Sequence, residues 1–133
     1  MKYKEIVSKL KTNKSKDYLW NKINTPKKMM KIEGFKKFKI KKISENNYKV
    51  TTPKRFFFIT FIPKSEADLI FFNEGGDSSF AWFEIKGEKN CEILHGNSVR
   101  IDQDNGKWYK TYFNSAKKHM LNELKEISKW QKQ

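Results

Sequence analysis

Apolar residues recur at helical spacing over the last quarter of the chain. Trp108, Tyr112, Ala116, Met120, Leu124 and Ile127 follow one another at steps of four or three, with Tyr109 and Phe113 widening the stripe on one side and Leu121 on the other. This predicts one amphipathic helix from Gly106 to Lys132, about seven turns at ~3.6 residues per turn. Lys110, Lys117, Lys118, Lys125 and Lys129 fall off the stripe, so one side is wet and the other buried. Asp102 and Asp104 stand where acidic caps belong, and Lys129 and Lys132 where cations suit the helix dipole. About nine apolar side chains, each worth roughly 1.5–3 kcal/mol when buried, will not stay in water. The rest of the chain must cover them.

That rest is mostly of period two. Residues 3–10 place Ile6, Ser8 and Leu10 on one parity and predict a strand. Asn13 or Ser15 can cap a short helix through Tyr18, Leu19, Trp20 and Ile23; Thr25-Pro26 opens a second through Met29, Met30 and Ile32, ended by Gly34. Six strands then follow: Phe35–Ser44, Tyr48–Thr52, Arg55–Ile62, Ala67–Asn73, Ser79–Lys86 and Cys91–Ile101. Glu45-Asn46-Asn47, Pro63-Lys64-Ser65, Glu74-Gly75-Gly76-Asp77 and Gly87-Glu88-Lys89-Asn90 are turns, and the shortness of the connections makes the strands an antiparallel meander. The predicted class is α+β, a curved seven-stranded antiparallel sheet wrapped around the long C-terminal helix, with two short helices between strands 1 and 2.

Composition narrows the function classes. A chain of 133 residues is the size of a single domain with a core of its own. The single cysteine, Cys91, excludes an internal disulfide or Cys-based zinc cluster and suits a reducing cytoplasm. No apolar run approaches the ~20 residues of a membrane span or a signal-peptide core, so a soluble, cytoplasmic protein is expected. The net charge is +14, and residues 1–55 alone carry 18 Lys and Arg against 4 Asp and Glu, a surplus as large as the whole. Such a field attracts phosphates, anionic headgroups or carboxylates, although a lysine-rich surface also needs no function.

The order of elements, with Leu19-Trp20 after the first strand and then Ile23-Asn24-Thr25-Pro26, resembles the opening of START-like, or Bet v 1-like, domains of the helix-grip (SRPBCC) superfamily. The resemblance covers the whole chain. The Lys- and Ile-rich composition also resembles a START-like family of unknown function from thermoacidophilic archaea. What the resemblance implies is a helix-grip fold with a hydrophobic cavity between sheet and C-terminal helix, in a superfamily of lipid-transfer domains, polyketide cyclases and plant ligand carriers.

Placing the charge-poor parity of each strand inward gives an interior of Phe38, Ile40, Tyr48, Val50, Leu69, Phe71, Ala81, Phe83, Ile85, Ile93, His95, Asn97 and Val99, roofed by Trp108, Tyr112, Ala116 and Met120. The interior is either filled by these side chains or hollow enough for a ligand. For residues 56–62 parity does not choose a face, since both are apolar. His95 and Asn97, two residues apart, point the same way and are the polar groups to orient a carboxylate or hydroxyl. An enzyme would need more: His95 could act as a general base on a ketide-like substrate, but no second acid accompanies it in the sequence. His119 reads as a helix-edge residue. Neither histidine has a carboxylate at ligand spacing, so no metal and no cofactor is expected.

The opposite parity leaves Ile70, Phe72, Phe80 and Trp82 on the convex side, the pattern of an interface, and a homodimer through this face is expected unless the helices at 15–32 cover it. Lysines alternate with aromatics at Phe35-Lys36-Lys37-Phe38-Lys39, which makes nucleic acid the rival partner, yet both rings are placed for the core and base stacking needs exposed ones. The favoured reading is a carrier or sensor of a hydrophobic or amphipathic small molecule (lipid, fatty acid, isoprenoid or quinone-like), its basic half guiding an anionic amphiphile or an anionic membrane surface to the cavity mouth. The alternatives are a nucleic-acid-binding protein and a polyketide cyclase-like enzyme.

Overall fold

The computed structural model describes residues 3–73, 78–100 and 107–129, and the side chains among them except at 73, 78, 99, 100 and 107–112. Strand β1 (Tyr3–Lys11) leads into helices α1 (Lys16–Ile23) and α2 (Pro26–Glu33). Strands β2 (Lys39–Ser44), β3 (Asn47–Thr51), β4 (Arg55–Ile62), β5 (Glu66–Asn73), β6 (Ser78–Lys86) and β7 (Glu92–Arg100) follow, and helix α3 (Lys107–Ser128) closes the order.

Local chemistry sets the short helices. Ser15 caps α1 by accepting from the Tyr18 N–H at 3.2 Å. Thr25 does the same for α2 toward Lys28, also at 3.2 Å, with Pro26 at the first helical position. Gly34 ends α2 in the left-handed region at φ +82°, and the Phe35 N–H reaches back to the Met30 carbonyl at 3.0 Å. That closure corrects the predicted start of the second strand. The chain turns back over the core at Phe35, whose ring lies 5.5 Å from that of Phe57, so pairing begins only at Lys39, after Phe38.

The seven strands form one antiparallel sheet in the order β1-β7-β6-β5-β4-β3-β2, a meander from β2 to β7 with β1 added beside the last strand. Alternation then decides the faces. Phe57, Ile59 and Phe61 are buried while Phe56 and Ile62 are exposed, which fixes the parity that sequence left open. Ala67, Leu69 and Phe71 of β5, and Ala81, Phe83 and Ile85 of β6, lie on the same concave side. They form one apolar cluster with Leu19, Trp20 and Ile23 of α1, Met29 and Met30 of α2, and Leu124 and Ile127 of α3. A smaller cluster joins Ile6 of β1 to Ala116 and Met120. Strand β2 is exposed along its whole length: Ile40 pairs with buried Val50 but, on the edge strand, stays 39% exposed. The Asp102 and Asp104 caps, the turn at 74–77 and the helix start at 106 lie outside the described residues, while α3 ends at Ser128, with Lys129 already out of the helix, short of the expected Lys132.

Candidate functional site

The site grows from His95. On β7 it pairs with Ser8 of β1 on one side and Phe83 of β6 on the other, and its ring stacks on that of Phe83 with centroids 3.9 Å apart. Its Nδ1 lies 2.9 Å from the Trp82 carbonyl oxygen. A carbonyl only accepts, so Nδ1 carries the hydrogen, and in the neutral ring Nε2 is left with a lone pair. Nε2 looks away from the sheet toward α3, where Glu123 places Oε2 3.2 Å from it. That is ion-pair distance but not a hydrogen-bond line, and Glu123 Oε2 is buried without accepting any hydrogen bond. The other oxygen of Glu123, Oε1, accepts from Nε2 of His119 at 2.7 Å, one turn earlier on α3. Glu33, the last residue of α2, completes the group: one ligand atom from each of Glu33, His95 and Glu123 lies within 4.8 Å of the others. Glu33 Oε1 is likewise buried and accepts no hydrogen bond.

Burial and charge reinforce one another here. Burial, then the neighbouring Glu123 carboxylate, push the Glu33 carboxyl up to about 7, against the lowering pull of the His95 and Arg55 charges. A carboxylate at the C-terminal end of a helix also faces the unfavourable pole of the helix dipole. For His95, burial favours the neutral ring, but the contact with Glu123, the charge of Glu33 and the Trp82 carbonyl outweigh it and raise the imidazole pKa. Protons in this cluster belong to the group rather than to one residue.

An open groove of about 650 Å³ lies past the end of α2, lined by residues 34–37, which follow Glu33 in the chain, and by Thr52, Pro53, Lys54 and Arg55, and not by the three cluster residues themselves. Arg55 is its aromatic-seated wall, with its guanidinium 5.0 Å from the Phe35 ring centroid and 5.1 Å from that of Phe71. Lys36, Lys37 and Lys54 give the groove a basic rim.

Of the residues singled out in the sequence, His95 stands in the cluster, while Asn97, between Ile6 and Ala81, is half-buried. Leu69, Phe71, Phe83, Ile85 and Ile93 are packed in the main apolar cluster, with Phe38 and Tyr48 half-buried against it. Ala116 and Met120 pack on Ile6. Trp108 and Tyr112 lie on α3 outside the residues whose side chains are described, as does Val99 on β7. The expectation that no acid accompanies His95 is corrected: Glu33 and Glu123 reach it from two helices, each far from it in sequence, where spacing along the chain shows nothing. The signals that could have found them are the His119-to-Glu123 step of four and an acid closing a helix end.

On the convex face Ile70, Phe72 and Phe80 are exposed, with Phe56 stacked on Phe72 at 5.1 Å. Trp82 is half-buried, its indole spread over Gly96, where an added Cβ would run into the ring. Helices α1 and α2 pack into the concave cluster with α3 and leave this face uncovered. Phe35 and Phe38, the rings of the basic stretch, both pack against the core. Among the described residues no helix is long and apolar enough to cross a membrane.

Neither a family model nor a curated protein matches the chain. Solved structures do. The di-domain ARO/CYC StfQ from the steffimycin biosynthetic pathway superposes with a TM-score of 0.73 at 7% identity, over 95% of this chain and 49% of that one. The di-domain ARO/CYC BexL from the BE-7585A biosynthetic pathway gives 0.68 at 6% identity, over 98% of this chain and 51% of that one. The chain thus spans about half the length of these two. Norcoclaurine synthase from Thalictrum flavum, in complex with dopamine and hydroxybenzaldehyde, gives 0.58 at 15% identity, over 95% of this chain and 86% of that one. The archaeal affiliation finds no support among these likenesses. What they establish, at such identities, is the architecture: the chain has the helix-grip α+β fold.

Proposed function

We propose that the chain binds a small amphipathic molecule in the grip between sheet and α3, with its polar end on Glu33, His95 and Glu123. The observation that carries this reading is the convergence of buried His95 and Glu123 with half-buried Glu33, each glutamate having one buried oxygen without a hydrogen-bond partner, beside the apolar cluster. It is supported by the fold's likeness to proteins such as norcoclaurine synthase, which holds dopamine and hydroxybenzaldehyde. The two glutamates refine the ligand class. Carboxylates accept hydrogen bonds, so the fitting polar end is a donor such as a hydroxyl, phenol or protonated amine; a fatty-acid carboxylate would meet two like charges. The basic rim of the groove then attracts whatever anionic portion the ligand has. Native mass spectrometry of the purified protein, with solvent extraction of anything bound, tests the reading. A co-purifying organic molecule of defined mass is expected. A clean mass together with no saturable uptake of long-chain alcohols or phenols would overturn it.

A second reading is favoured by one feature. Glu33, with a pKa of about 7 beside His95, is poised to give and take a proton near neutral pH, as acid–base chemistry on a bound ligand requires. Conversion of a bound β-polyketone analogue, lost in Glu33→Gln with binding retained, would select this reading over simple carriage.

A further inference from the structure

We propose that Glu33, His95 and Glu123 form a binding site for one divalent transition-metal ion, with zinc as the archetype, ligated by His95 Nε2 and one oxygen from each glutamate. Three observations lead there. The hydrogen bond from Nδ1 to the Trp82 carbonyl fixes the tautomer that turns the Nε2 lone pair into the cluster, as an outer-sphere partner does for a metal-bound histidine. Glu123 is more than nine-tenths buried, yet its Oε2 accepts no hydrogen bond even though His95 Nε2 is 3.2 Å away. The two atoms are close without a hydrogen bond between them. Ligands at metal distances of about 2.1 Å that subtend about 100° at the ion lie about 3.2 Å apart, so this edge has coordination length. Finally, the second oxygen of Glu123 is held by His119 at 2.7 Å, which fixes the orientation of the carboxylate.

The donor set selects the ion. One imidazole nitrogen and two carboxylates suit zinc and its first-row neighbours, whereas calcium and magnesium favour an all-oxygen shell of six or more. Three protein ligands leave a coordination position open, the arrangement of a site that takes water or a substrate oxygen. This site stands on the geometry of the cluster alone; it can bind metal whether or not an organic molecule binds, and mass spectrometry of extracts reads that question separately.

The test uses the full chain, stripped with a chelator and dialysed, titrated with Zn²⁺ by calorimetry and with Co²⁺ by visible absorption. One ion per chain is expected, with Co²⁺ giving ligand-field bands. Glu33→Gln and His95→Gln should each weaken Zn²⁺ binding at least tenfold and abolish the Co²⁺ bands, and His119→Ala should weaken it less. Glu33→Gln removes a carboxyl at a half-buried position and keeps the shape, so it should remain folded by circular dichroism and serve as the reference variant. No saturable binding at about 100 µM Zn²⁺ would overturn the proposal. So would binding that survives unchanged in both Glu33→Gln and His95→Gln, since it would then belong to the surface.

Discussion

Glu33 is the residue whose environment has the largest measurable consequence. Its unfolded value is near 4.5 and its folded value about 7, so below pH 4.5 both states are protonated and it contributes nothing. Between the two values the unfolded chain ionises first, and folding stability falls with rising pH by about 1.4 kcal/mol per unit, on the order of 3 kcal/mol in all. His95 acts in the same direction. Its folded value is raised, so the stability it adds is full below the unfolded value of 6.5 and is lost as pH rises through the folded one. The groups around them are Glu123, Arg55 and each other. In chelator-treated protein, Glu33→Gln should therefore equal the natural chain in urea stability near pH 4.5 and exceed it by roughly 2–3 kcal/mol at pH 8. A difference that does not grow with pH would refute this account. Gly96 makes the second prediction at this scale. Its missing side chain is the space in which the Trp82 indole lies, and Trp82 in turn presents the carbonyl that orients His95. Gly96→Ala should cost about 1–3 kcal/mol by overpacking, read as a lowered denaturation midpoint.

At the scale of elements, the strongly periodic segments were legible and the convergences were not. The stripe from Ala116 to Ile127 is buried as its spacing required, because a single helix face is a one-dimensional pattern. Thr25-Pro26 and Gly34 bound α2 because capping is local chemistry. The start of β2 departs from the alternation because Phe35 packs on the core, and the face of β4 is set by the helices it packs against, both of its sides being apolar. His95 could be singled out as an inward polar group, but Glu33 and Glu123 come to it through the docking of α2 and α3, which no spacing records. That docking is testable. Leu124, fully buried where α3 meets the main cluster, should cost about 2–5 kcal/mol when changed to Ala. Thr25→Ala should cost about 1 kcal/mol through the lost cap, and both are read by chemical denaturation.

For the whole molecule, the open question is what meets the convex face. Exposed Ile70, Phe72, Phe80 and Phe56 lie on neighbouring strands with no helix of the described residues above them. The expectation of a homodimer through this face stands as a proposal, since rows of phenylalanine match a second copy of themselves. Sedimentation should give a dimer mass for the natural chain and a monomer mass for Ile70→Lys; a monomeric natural chain would end the idea.

The place of β1 beside β7 has a further consequence, for the order in which the chain can fold. Tyr3 pairs with Arg100 and Lys11 with Glu92, so the first of the seven strands in chain order has its partner in the last. It is joined as well to α3, which is later still, by the Ser8 hydroxyl on the Lys117 carbonyl and by Ile6 against Ala116 and Met120. The meander from β2 to β7 can zip through neighbouring hairpins, but closure awaits the C-terminal third, and such long-range pairing slows folding. A β1 without β7 would hold Ile6 and Val7 in water, and its lysines at 4, 9 and 11 are charges of the kind that discourage such a strand from pairing with another chain.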